Sequence, residues 1–243
     1  MTRNTRTILL VDGSATMRYY HGILLKRLEY AVQTASSAEE ALQIVDHTMP
    51  SLVITESALP VMSGTELIRT LKGSDRTRDL PIVVLAGGED DRIRERWKEL
   101  GCAACLFKPV EPHFFYQTIQ AAIEPVPREH IRLTTPLKVA MSDGKTLSDG
   151  AERMEYATTI SEGGLYLRTL HPKPRNTSTP VRIFIKDRMI KARAEVLYSK
   201  TMDSGDFHEP GMGMKFTEIS EDDRNYLRHF IEERLTFDIT IGP

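Results

Sequence analysis

Arg128 and Arg132 stand four residues apart in Arg128-Glu129-His130-Ile131-Arg132, just after Pro125 and Pro127. A guanidinium offers five donors in a planar fork that suits phosphate oxygens and the edges or faces of bases. Two such forks point to a phosphate-rich, base-bearing ligand. A second stretch, Thr159-Ile160-Ser161-Glu162-Gly163-Gly164-Leu165-Tyr166-Leu167, sets a hydroxyl ahead of two glycines. Glycines let backbone N–H groups approach an anion closely, and Ser161 adds a further hydrogen bond. The same residues equally describe a glycine turn closed by a local serine cap. Elsewhere, polar or small residues follow apolar runs at Asp12 and Gly13, at Glu56, at Ala86 and Gly87, and at Lys108. Cys102 and Cys105 form a C-x-x-C spacing. Cys105 opens an apolar strand rather than a helix N-terminus, and no second cysteine or histidine pair completes a zinc set, so both are expected to be packing thiols. Nucleophile-elbow, P-loop and metal-ligand spacings are missing from the sequence, which points away from an enzyme.

These residues need elements to position them. Segments 8–11, 31–34, 52–55, 82–86 and 104–107 read as short apolar strands, and between them apolar residues recur at helical spacing, as in Met17, Leu24, Leu25 and Leu28. Five βα units with strands apolar on both faces imply a doubly wound α/β domain, whose sites lie at the carboxyl ends of the strands. Asp12, Gly13, Glu56, Ala86 and Lys108 fall there. Beyond residue 124 the period becomes two: Ile131, Leu133, Leu137, Val139 and Met141 share a face, and later runs around Leu165, Val181, Val196 and Met212 repeat it. Residues 152–160 form a weaker strand. Turn signals at Asp143-Gly144, Asp149-Gly150, Gly163-Gly164 and Gly205 suggest a small six-stranded barrel, closed by a helix in which Ser220 caps and Tyr226, Leu227, Phe230, Ile231 and Leu235 form a stripe. The expected division is 1–123, a linker at 124–132 made extended by its prolines, and 133–243.

The first half resembles a response-regulator receiver domain, through Leu10-Val11-Asp12, Glu56-Ser57-Ala58-Leu59-Pro60-Val61-Met62-Ser63-Gly64 and Phe107-Lys108-Pro109. The resemblance implies a magnesium site made of two adjacent acids and an aspartate that accepts a phosphoryl group. A hydroxyl, a lysine and an aromatic then read it. Here Gly13 stands at the second acid, Glu56 at the acceptor, Ala86 at the hydroxyl and Cys105 at the aromatic position. Losing one carboxylate and lengthening another weakens octahedral magnesium ligation, and phosphoryl transfer then loses its main charge stabilisation. A pseudo-receiver is expected. Glu56 is either an acid paired with Lys108 or a partial imitation of a phosphorylated aspartate.

Residues from about 125 to 235 resemble a PilZ domain, a small barrel that binds cyclic di-GMP. Arg128 and Arg132 match its R-x-x-x-R segment; Ser161 and Gly164 match its [D/N]-x-S-x-x-G turn, with Thr159 where Asp or Asn is usual. The resemblance implies a cyclic di-GMP site made of Arg128, Arg132, Thr159, Ser161, Gly163 and Gly164, with no other cofactor and no metal. A threonine hydroxyl reaches a guanine edge less well, and one lost base contact costs on the order of 1–3 kcal/mol.

The expected protein is a non-enzymatic signalling effector. It would sense cyclic di-GMP through the barrel and use its receiver-like domain for docking an unidentified protein or for homodimerisation. The alternative is a scaffold whose barrel no longer binds nucleotide. A net charge of −2, spread evenly with 14 Lys+Arg against 15 Asp+Glu in residues 1–123, argues against a DNA-binding face. The apolar run ending at Asp12 is too short for a signal peptide or membrane span, so a cytoplasmic location is expected.

Overall fold

The computed structural model describes residues 6–88, 91–141, 154–201 and 209–239. They divide into two compact units at Glu129/His130, and residues 235–239 group with the first. The turn signals at Asp143-Gly144, Asp149-Gly150 and Gly205 lie outside the described residues.

The first unit alternates β1 (Thr7–Val11), α1 (Ala15–Arg27), β2 (Ala31–Ala35), α2 (Ala38–His47), β3 (Leu52–Glu56), α3 (Gly64–Gly73), β4 (Ile82–Gly87), α4 (Asp91–Glu99), β5 (Ala104–Lys108) and α5 (Pro112–Ile123). The strands form one parallel sheet in the order β2-β1-β3-β4-β5. Ile8, Leu9, Leu10 and Val11 are all fully buried, as a strand covered on both faces must be. Serines start three of the helices. Ser14 and Ser37 accept from the backbone N–H of Met17 and Glu40, and Ser63 and Glu66 complete a reciprocal capping box. Pro112 opens α5, where its missing N–H costs nothing. β2, β3, β4 and β5 each run one residue past the expected end, which places Glu56 at the end of β3 and brings Lys108 into the sheet opposite Gly87.

The second unit contains β6 (Leu133–Met141), β7 (Met154–Ser161), β8 (Gly164–Arg168), β9 (Ser178–Ile185), β10 (Arg188–Lys200) and β11 (Gly211–Ile219). They close into a barrel in the order β10-β11-β8-β7-β6-β9, with β9 pairing β10 to seal it. Closure leaves no strand edge open. Inward positions such as Val139, Ile160, Leu167, Ile183, Val196 and Met212 are fully or almost fully buried. A final helix, α6 (Glu221–Thr236), follows, with the Ser220 hydroxyl accepting from the Asp223 N–H at 3.1 Å. Leu227, Phe230, Ile231 and Leu235 are its buried stripe. Among the described residues no helix is long and apolar enough to cross a membrane.

Candidate functional site

The carboxyl ends of β1, β3, β4 and β5 meet around Lys108. Its Nζ lies 2.7 Å from Glu56 Oε1 and 3.2 Å from Asp12 Oδ2. Asp12 is fully buried, and its other oxygen accepts from the Ser14 N–H at 2.9 Å. The side chains of Lys108 and Glu56 are 20% and 22% exposed, so the ammonium sits between two carboxylates in a partly dry place where charge pairing is strong. Burial pushes the Glu56 carboxyl up from its ordinary value; Asp12 adds to this and Lys108 opposes it. For Lys108 burial works downward, but its bonds to Glu56 and Asp12 prevail and hold the amine above its usual range.

Gly13 brings no side chain to this cluster, and an added Cβ there would meet Pro60 Cδ at 3.2 Å. Ala86 is buried in β4 and brings only a methyl. Thr55, fully buried, donates its hydroxyl to the Glu56 carbonyl at 3.2 Å. Gly64 is required here because a Cβ would run into the Glu56 carbonyl where α3 starts.

Two neighbours escaped the sequence reading. Arg18 donates to the carbonyls of Asp12 at 2.6 Å and Gly13 at 3.1 Å, pinning the loop after β1. His21 is buried, with its pKa lowered to about 4, first by desolvation. Neither residue belongs to an apolar pattern or a familiar motif, so only the fold reveals them. Cys102 and Cys105 pack against the apolar core, and burial pushes the Cys102 thiol up to about 11, which disfavours a reactive thiolate. Among the described residues no group of three or more His, Cys, Asp or Glu is arranged to hold a metal ion.

In the barrel, register does the positioning. β6 pairs β7 with Leu133 opposite Ile160 and Thr134 opposite Thr159, while β7 pairs β8 with Thr159 opposite Tyr166 and Ser161 opposite Gly164. Ile160 is fully buried inside, so its neighbours Thr159 and Ser161 face outward. Arg132, exposed, immediately precedes Leu133, and the same register carries it to the Ser161 end of β7. The Ser161 hydroxyl donates to the Gly164 carbonyl at 3.1 Å, the local cap that was one of the two sequence readings.

Each glycine of the turn has a separate cause. A Cβ at Gly163 would come within 2.7 Å of the His130 ring, and one at Gly164 would run into the Met214 carbonyl of β11. His130 thus lays the segment before β6 against the turn. Arg128 falls in the first unit, not with Arg132. Its backbone N–H donates at 3.0 Å to Gln120 Oε1, and Gln120 Nε2 in turn reaches the Tyr30 hydroxyl at 2.6 Å. The Arg128 backbone is therefore tied to α5 at this point.

Further unanticipated residues extend the outer face. Thr134, Thr159, Tyr166, Gly213 and Tyr198 follow one another across paired strands. The Tyr166 and Tyr198 rings lie 6.3 Å apart, and an added side chain at Gly213 would collide with Tyr198. Glu162 is buried within the turn and accepts from Arg228 at 3.0 and 2.8 Å. Strand alternation marks the tyrosines as outward-facing. Nothing in Ser161-Glu162-Gly163 says that a turn carboxylate is directed into the protein.

Residues 8–120 match the response regulator receiver domain family, and residues 127–233 match the PilZ domain family. About half of the chain is similar to the phosphate regulon transcriptional regulatory protein PhoB of Pseudomonas aeruginosa, with 31% identity over 120 residues covering 49% of this chain and 52% of that protein. The chain thus spans about half that relative's length. The polar-differentiation response regulator DivK of Brucella ovis is 27% identical over 122 residues, 48% of this chain and 95% of DivK. Among solved structures, the chemotaxis response regulator CheY4 of Vibrio cholerae shares 25% identity with a TM-score of 0.47, covering 49% of this chain and 99% of CheY4. The chain accordingly joins a response regulator receiver domain to a PilZ domain.

Proposed function

We propose that this protein is a non-enzymatic signalling effector whose barrel binds cyclic di-GMP and whose receiver domain, unable to run a phosphorylation cycle, serves as a docking or dimerisation surface. The observation that carries the ligand reading is the β6–β7 register, which aligns Arg132 with the end of β7 bearing Thr159 and Ser161 in a PilZ barrel. Arg132 and Arg128 would hold phosphates and guanine, and the turn of Ser161, Gly163 and Gly164 would close on the ligand. Tyr166 and Tyr198, on the same outer row, offer ring faces to a base.

The receiver reading is supported by what surrounds Lys108. A magnesium ion would need several oxygen ligands in near-octahedral order. Gly13 supplies none, and the two carboxylates present already share one ammonium. The residues do not fit the ion. Glu56 cannot accept a phosphoryl group as the family's aspartate does, and Ala86 has no hydroxyl to read one.

Ser161 bonded to Gly164 and Thr159 in place of an acid or amide favour a second reading, a scaffold that has lost the nucleotide. Isothermal titration of cyclic di-GMP into the full chain decides between them. Micromolar or tighter binding that disappears in Arg128→Ala plus Arg132→Ala is the expected result. An intact protein that gives no heat would leave the scaffold standing.

A further inference from the structure

We propose that Glu162 is a positioning residue that ties the β7–β8 turn to α6, so that a ligand held at the turn is read out as a change in α6. The inference rests on the cyclic di-GMP reading of the turn and goes on to ask what the barrel does with the ligand.

A carboxylate between Ser161 and Gly163 in a tight hairpin turn ordinarily points into water. The Glu162 side chain is instead 4% exposed, and one of its oxygens takes both Nε and Nη2 of Arg228, at 3.0 and 2.8 Å. Arg224, one helical turn earlier on the same face of α6, donates to the Glu162 carbonyl at 3.1 Å. Burying a carboxylate is unfavourable unless it is paired, so the turn holds this shape only while α6 presents its arginines.

The turn has little other freedom. The Gly163 carbonyl accepts from the Phe216 N–H at 2.9 Å, and Gly164 lies against the β11 backbone. Ser161 and Glu162 are adjacent, one facing outward toward the ligand row and the other inward to the helix. A shift of the first displaces the second.

α6 is also held from the β9–β10 hairpin. Arg188 bonds Asp222 and Asp223 and lies 4.7 Å over the Tyr226 ring, and Lys186 meets Glu233 at 2.8 Å. The helix therefore bridges the ligand turn and the opposite hairpin through charged contacts. Coupling of this kind needs an element with two arrangements. The Arg228 side chain, 41% exposed, supplies it by sitting on Glu162 or turning into solvent.

Hydrogen exchange of the full chain with and without saturating cyclic di-GMP, alongside calorimetry, tests this in the wild type, Glu162→Gln and Arg228→Lys. In the wild type the ligand is expected to change exchange both at 161–164 and within α6. Arg228→Lys keeps the charge but loses the fork, and retains part of the α6 response. Glu162→Gln is expected to bind about tenfold more weakly and to lose the α6 response while the turn is still protected. A wild-type α6 indifferent to a ligand that protects the turn overturns the inference, as does a Glu162→Gln protein with an unaltered α6 response. If Glu162→Gln does not fold, the wild type and Arg228→Lys decide the matter. No heat from the wild type removes the ligand reading and the inference together; heat without an α6 response removes only the inference.

Discussion

The two site regions of this protein treat charge in opposite ways. At the strand ends of the receiver domain, Lys108 is enclosed by Glu56 and by Asp12, which is itself fully buried, so each charge is answered by another. On the barrel, Arg132 is exposed beside half-buried hydroxyls at Thr159 and Ser161. In the first region two carboxylates already share the ammonium, whereas the proposed ligand site sets the exposed Arg132 beside a polar, aromatic face. The difference teaches that matching a family's residue positions is not enough. What decides a site's chemistry is whether its charges already have partners.

The largest expected effect breaks the barrel side of this contrast. Arg128→Ala plus Arg132→Ala should weaken cyclic di-GMP binding by between about thirtyfold and about ten-thousandfold, since each lost fork costs on the order of 1–3 kcal/mol; calorimetry reads it. Arg132 is exposed, so Arg132→Ala alone should leave folding unaffected.

Lys108→Met attacks the other side. It strands the buried Asp12 and the half-buried Glu56 without their cation, and should lower stability by about 3 kcal/mol in a urea titration. The pH dependence of that loss follows from the raised Lys108 pKa. A cation whose folded pKa lies above its unfolded value contributes its stability in full below the unfolded pKa and loses it as pH rises through the folded one. The gap between wild type and Lys108→Met should therefore be constant at neutral pH and shrink above about pH 10.5. Glu56 runs in the same direction, at lower pH. Its carboxyl is raised, first by burial, so the folded state binds that proton more readily and gains stability as pH falls through the folded pKa.

Two smaller effects sharpen the barrel side. Thr159→Asp restores a longer acceptor toward a guanine edge and should tighten binding about tenfold. Tyr198→Ala removes one ring face and should weaken it by a similar or smaller factor, with Tyr166 retaining part of the stacking. The smallest effect is control-like: Ser63→Ala breaks the capping box of α3 and should cost about 1 kcal/mol of stability while leaving nucleotide binding unchanged.

The fold was largely legible before any coordinate. Continuous apolar runs such as Ile8-Leu9-Leu10-Val11 and helical spacing between them specify a parallel sheet covered on both faces. Alternation through Leu137, Val139 and Met141 specifies strands with one face inward. The sequence did not show that Gln120 holds the Arg128 backbone. A glutamine on a helix carries no mark of the partner it will meet.

Local spacing by itself determined the elements, the two families they resemble and the side chains available at each strand end, because periodicity and turn chemistry are properties of neighbours in sequence. Only the tertiary structure decided which charges meet. Glu56 and Lys108 are 52 positions apart, and Glu162 and Arg228 are 66 apart, yet both pairs lie within hydrogen-bonding distance. Electrostatic and packing forces act over ångströms of space whatever the length of chain between, so a turn acid directed into a helix leaves no trace until the chain is folded.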